Sequence, residues 1–154
     1  MIIGYIPGTF DLFHIGHLNI LRNARSMCDK LIVGVSTDAL VLACKHKSPV
    51  IPFAERLEIV RSIKYVDGVV AQEDMDKRSM WERLKFDLLF VGDDWRYSER
   101  WQEYEERFRD TGVRIVYFPY TQHTSSSLLR EALIRLHGEG SPAAAYDYAQ
   151  ELGA

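Results

Sequence analysis

Apolar residues fall into short, regularly spaced runs along this chain. Residues 2–6 form a β-branched run that stops at Pro7-Gly8, the pattern of a strand buried on both faces. Residues 31–35, 68–71, 88–91 and 113–118 repeat it, which predicts five strands. Between most of them the apolar period lengthens to that of a helix. Leu18, Leu21 and Ala24 predict a helix over 17–27, and a second runs from Pro52 through Leu57, Val60, Ile63 and Lys64. A third surrounds Trp81 and Leu84, a charged surface helix covers 101–109, and 125–136 places Leu128, Leu129, Ala132, Leu133 and Leu136 on one apolar stripe. Strand and helix alternate, and parallel neighbours require crossovers. The expected fold is a doubly wound, Rossmann-like α/β sandwich: five parallel strands with helices on both faces. Residues 43–51, with Lys45, His46 and Lys47, read as a mobile basic loop. Residues 1–137 are expected to form one domain, and 138–154 a Gly/Pro/Ala-rich tail.

Composition narrows the class. The chain has 154 residues, enough for one domain with a substantial core. Its net charge of −3 gives no reason to expect a nucleic-acid partner. Cys28 and Cys44 have neither redox nor metal spacing, and the first residues lack the basic region of a signal peptide. No run approaches the roughly 20 apolar residues of a membrane span. A soluble, cytoplasmic protein without a membrane partner is expected.

In open α/β sheets ligands collect beyond the carboxyl ends of strands, and the turn after the first strand reads GTFDLFHIGH, residues 8–17. Neither a P-loop nor a GxGxxG fingerprint is present. Gly8 lets backbone approach a ligand, and Gly16 keeps the space beside the histidines open. His14 and His17, three apart at a helix start, project from one face near free amides at the positive end of the helix dipole. Such a pair can hold phosphate oxygens; a plain surface pair or two zinc ligands are the competing readings. Asp11 is either a capping carboxylate or a contact to metal or acceptor.

Residues 8–17 resemble the HxGH signature of the cytidylyltransferase and adenylyltransferase superfamily. Val35-Ser36-Thr37-Asp38, the lysine-bearing loop, Arg56, Tyr65-Val66-Asp67 and Val91-Gly92-Asp93-Asp94-Trp95 extend the similarity to the glycerol-3-phosphate cytidylyltransferase branch, over residues 1 to about 135. The resemblance implies that an acceptor phosphate oxygen displaces pyrophosphate from a nucleoside triphosphate in line, with no covalent enzyme intermediate. It assigns the triphosphate and transition state to His14, His17 and Lys47. The nucleotide falls to Gly8, Thr9, Phe10, Gly16, Lys45, Gly92, Asp94, Thr121, Ser125, Ser126 and Ser127, and the acceptor to Asp11, Asp38, Arg56, Lys64, Trp95 and Tyr120. CTP is the implied donor, with ATP the alternative, and a small phosphorylated alcohol or sugar the implied acceptor. Mg²⁺ is expected on the phosphates, with Asp11 the candidate protein contact. A homodimer is also implied.

Two departures stand out. The second signature of such cytidylyltransferases, Arg-Thr-Glu-Gly-Ile-Ser-Thr, is here Tyr120-Thr121-Gln122-His123-Thr124-Ser125-Ser126, so a fixed positive charge and a permissive glycine are missing. His123 and Arg130 are candidates to compensate. Lys64 stands where those relatives carry arginine. A binding module that has lost turnover is the reading these departures would favour.

Overall fold

The computed structural model describes residues 1–92, 99–119 and 124–137. Its elements are β1 (Ile3–Gly8), α1 (Ile15–Arg25), β2 (Lys30–Ser36), α2 (Asp38–Lys45), α3 (Phe53–Arg61), β3 (Gly68–Gln72), α4 (Lys77–Leu84), β4 (Leu88–Gly92), α5 (Glu99–Phe108), β5 (Arg114–Phe118) and α6 (Ser126–Leu136). All pairings are parallel, and the strand order is β3-β2-β1-β4-β5. This is the doubly wound α/β sheet that the patterning predicts. The chain winds outward from β1 to β3, then returns to the other side of β1, which puts the topological switch between β1 and β4.

Alternate strand residues build two cores. Ile6, Leu31, Val33, Val35, Leu88 and Phe90 pack with Leu21 and Ala24 of α1 and Val60 of α3. Tyr5, Ile32, Leu89 and Val91 pack on the opposite face with Met80 of α4 and Trp101, Tyr104 and Phe108 of α5. The strand starts are tied by aspartates: Asp29, Asp67 and Asp87 each precede a strand and accept the main-chain N–H of Ile2, Leu31 and Ile3, respectively. Asp67 of the Tyr65-Val66-Asp67 motif thus serves the edge opposite the carboxyl ends.

Three expectations change. The basic stretch does not begin as a loop: α2 runs to Lys45, because Thr37 caps it through the Leu40 N–H and Leu40 and Val41 anchor it by burial. It ends at His46, which takes the left-handed conformation. α3 stops at Arg61 with Ser62 as its cap, leaving Ile63 and Lys64 in the turn before β3. The α6 stripe is only partly covered, since Leu128 is 56% and Leu136 79% exposed and no residue of the helix is buried. Polar contacts at its N-terminal half hold it instead. Residues 138–154 lie outside the described residues. Among those described, no helix is long and apolar enough to cross a membrane.

Candidate functional site

The turn after β1 is shaped by burial and backbone geometry. Phe10 and Leu12 take positive φ of 55° and 48°. Phe10 turns its buried ring over Gly8, where an added Cβ would come within 2.7 Å of it. Asp11, 8% exposed, accepts the main-chain N–H of Val50 at 2.8 Å and of Ile51 at 2.9 Å. Both carboxylate oxygens thus hold the lysine-bearing loop. Asp11 is a cap, but of residues 50–51 and not of α1, and this employment of both oxygens speaks against a metal role.

His14 is itself the N-cap of α1. Its Nδ1 accepts the Gly16 N–H at 3.0 Å, and Nδ1 of His17 accepts the His14 N–H at 3.2 Å, a capping box made of two imidazoles. An Nδ1 that accepts must be unprotonated, so each neutral ring carries its proton on Nε2 and offers it as a donor. The rings lie 4.0 Å apart, with His17 between Phe10 and Phe13. Burial, then His14 and Lys45, pulls the His17 pKa down to about 3, and burial lowers that of His14. The pair is therefore neutral at physiological pH. Among the described residues no group of three or more His, Cys, Asp or Glu gathers as a metal site, which removes support from the zinc reading.

Arg56 is 1% exposed. Its guanidinium donates to the carbonyls of Ile51 (2.8 Å), Thr9 (2.6 Å) and Ser36 (2.8 Å) and to Asp38 Oδ1 (2.8 Å). Asp38 also accepts the Phe53 N–H. In the structure Arg56 and Asp38, expected at the acceptor, staple the ends of β1 and β2 to the loop before α3, because four backbone and carboxylate acceptors converge where only a fork of donors fits. Lys64 lies away from the carboxyl edge. It is exposed in the turn that enters β3, at the strand-start edge, with its ammonium over the Tyr65 ring.

Three cavities open at the carboxyl edge. The first, about 530 Å³, is cationic: Lys45, Lys47 and Arg130 line it with Thr9, Phe10, His17, Ser126 and Ser127. The second, about 560 Å³, lies along α1, lined by His14, Gly16, His17, Asn19, Ile20, Gly92, Phe118, Ser125, Ser126 and Ser127. The third, about 250 Å³, lies over β1–β3 on the α4/α5 face and includes Gly8, Thr9, Ser36, Leu40 and Gln72. Lys45 borders all three and is 3.5 Å from the Thr9 hydroxyl. Burial, and then Lys47, lowers its pKa. Ser125 caps α6 through the Leu128 N–H, so the first amides of that helix open onto the shared wall. Ser126 donates to the Asp11 carbonyl at 2.6 Å, and Arg130 to the Ser48 carbonyl at 2.9 Å.

Asp94, Trp95, Tyr120, Thr121 and His123 lie outside the described residues. Sequence reading passed over Ser48, Asn19, Phe118 and Gln72. Phe118 and Gln72 end strands at the functional edge, a positional signal that patterning alone does contain.

A profile of the cytidylyltransferase-like family matches residues 5–132. The glycerol-3-phosphate cytidylyltransferase of Staphylococcus aureus is 33% identical over 127 residues, covering 82% of this chain and 90% of that protein. The FAD synthase of Archaeoglobus fulgidus is 36% identical over 110 residues, covering 71% of this chain and 78% of its own. A solved lipopolysaccharide core biosynthesis protein from Thermoplasma volcanium shares the fold with a TM-score of 0.67 at 23% identity, over 80% of this chain and 99% of that one.

Proposed function

Because the chain belongs to the cytidylyltransferase-like family, we propose that it transfers a nucleoside monophosphate from a nucleoside triphosphate to a small phosphorylated acceptor. The observation that carries this reading is the imidazole pair: two neutral rings, each pinned at Nδ1 by a backbone amide, present Nε2–H donors beside a cationic cavity. Fixed donors that need no reorientation are suited to stabilising charge as it develops on phosphate oxygens.

The three cavities divide the reaction. The cationic one takes the β- and γ-phosphates on Lys45, Lys47, Arg130 and the first amides of α6. The one along α1, with the Phe118 ring and Ile20 as apolar wall, takes the nucleoside. The third takes the acceptor, whose phosphate meets the donor at Lys45. An acceptor phosphate oxygen then attacks the α-phosphorus, the bond from that phosphorus to the bridging β-phosphate oxygen breaks, and pyrophosphate leaves into the cationic cavity. Catalysis consists of alignment and electrostatic stabilisation, so no protein nucleophile is required. Magnesium enters as part of the triphosphate substrate, neutralising its charge through phosphate oxygens.

We assign CTP as donor on the similarity to glycerol-3-phosphate cytidylyltransferase, with a phosphorylated alcohol or sugar as acceptor. Similarity to FAD synthases supports the second reading, ATP as donor. Incubation with Mg²⁺, CTP or ATP and a panel of phosphorylated alcohols separates them by pyrophosphate release. Preferential release from ATP would overturn the donor assignment, and silence of both nucleotides despite binding would favour a module without turnover.

A further inference from the structure

Tyr5 of β1, Gly34 of β2 and Gln72 of β3 lie on a diagonal across the α4/α5 face of the sheet, each two residues further along than the strict register partner of the one before. The Tyr5 hydroxyl reaches across Gly34 and donates to Gln72 Oε1 at 2.8 Å. This crossing requires glycine, since a Cβ at position 34 would lie 2.0 Å from the Tyr5 oxygen. Tyr5 is fully buried, stacks on Phe86 at 5.0 Å, and burial raises its pKa, so the phenol stays protonated and remains a donor.

The geometry fixes the far end of Gln72. A flipped amide would make the phenol oxygen the acceptor and leave its buried O–H with no other acceptor among the described residues, so Oε1 accepts and the NH₂ group takes the opposite end. Gln72 is 3% exposed, its NH₂ has no protein partner among the described residues, and the residue lines the third cavity. The NH₂ group is not fully enclosed, so it can donate to whatever enters the cavity. Thr9, Val41 and Lys45 line both that cavity and the cationic one, and the buried Lys77 adds a further donor to its wall.

We infer that Gln72, oriented by Tyr5 across Gly34, is the specificity-determining residue for the acceptor and selects one whose far end carries a neutral oxygen, hydroxyl or carbonyl. This rests on the proposed assignment of the third cavity to the acceptor. The NH₂ group offers only donors, and an ammonium group offers only donors in return. An amino-alcohol phosphate therefore meets N–H against N–H, whereas a polyhydroxyl phosphate is matched. A site built around a hydrogen bond discriminates strongly against a ligand that cannot make it.

The test is calorimetric binding of two probes, glycerol 3-phosphate and phosphoethanolamine, to the full chain saturated with a CTP analogue carrying a methylene bridge between its α- and β-phosphorus. The wild-type protein should bind glycerol 3-phosphate at least about tenfold more tightly. Gln72→Glu, which keeps the acceptor oxygen for Tyr5 and replaces the donors with a carboxylate, should shift the ratio about tenfold or more towards phosphoethanolamine. Gln72→Met and Tyr5→Phe should weaken glycerol 3-phosphate while leaving the analogue's affinity unchanged, and they carry the test if the glutamate variant does not fold. An equal ratio in wild-type and variant proteins, or no binding of either probe, overturns the inference. Failure of the transfer reaction shows separately, as absent pyrophosphate with a probe preference that persists.

Discussion

The carboxylate of Asp11 accepts the main-chain N–H of Val50, 39 residues away in sequence, at 2.8 Å, and so ties the imidazole turn to the lysine-bearing loop. Its other oxygen accepts the Ile51 N–H and its own carbonyl accepts the Ser126 hydroxyl. Removing the side chain leaves the amides of Val50, Ile51 and Leu12 without this acceptor, that of Val50 buried. Asp11→Ala should lower unfolding stability by roughly 2–3 kcal/mol and raise KM for the nucleotide. Urea denaturation measures the first. Added Mg²⁺ should not restore KM, whereas recovery at high Mg²⁺ would mark Asp11 as a metal contact after all.

Arg56 is the deeper staple. Its four hydrogen bonds join Thr9, Ser36, Asp38 and Ile51, and its side chain is enclosed. Arg56→Met strands three carbonyls and the half-buried Asp38 carboxylate. Loss of one partner from such a pair typically costs about 3–5 kcal/mol. Arg56→Lys should recover only a minor part, because an ammonium cannot span four acceptors held in a fork. A lysine variant as stable as the wild type would show that charge, and not geometry, is what the position requires.

How far the sequence could be read follows from this contrast. Strands were legible because burial on both faces leaves a continuous apolar run, as in residues 31–35, and the imidazole pair because its spacing is local. α2 was not, since it is short and its cap, Thr37, lies inside a stretch that also reads as a motif. The resemblance puts Arg56 and Asp38 at the acceptor, whereas their bonds in the structure, apart from the one between them, go to backbone carbonyls and an amide, which leave no trace in residue identity. The Tyr5–Gln72 pair spans 67 residues and depends on the absence of a side chain at Gly34. A one-dimensional pattern holds none of these relations.

Arg130 is a candidate to supply the charge that the second signature lacks. It borders the cationic cavity from α6 and anchors the Ser48 carbonyl at 2.9 Å with one nitrogen, leaving further donors on its fork. Arg130→Met should raise KM for the triphosphate at least about tenfold, with a smaller effect on binding of the nucleoside monophosphate. Arg130→Lys should be intermediate. Equal loss for monophosphate and triphosphate would show that the residue only supports the loop.

Replacement of His17 tests the chemistry itself. Its Nε2–H is one of two preorganised donors, and its Nδ1 also caps the His14 amide. His17→Ala should lower kcat by about 10² or more, the usual effect of losing such a donor. His17→Gln can keep the cap through its side-chain oxygen and should recover stability more than rate. Turnover near the wild-type level in either variant would remove the imidazole from the reaction.

The same residue sets part of the acid response. Burial holds the folded pKa of His17 near 3, against an ordinary value of 6.5 in the unfolded chain. Above pH 6.5 the ring is neutral in both states, and its full contribution to stability is present. As pH falls below 6.5 the unfolded chain takes up a proton that the folded one refuses, so stability declines by up to one proton's worth per pH unit until the folded pKa is reached. His14 is shifted in the same direction. The comparison of wild type with His17→Gln isolates the effect, because carboxylates titrating below pH 5 are common to both. Urea midpoints from pH 7.5 to 4 should fall more steeply for the wild type, and parallel curves would show that His17 can be protonated in place.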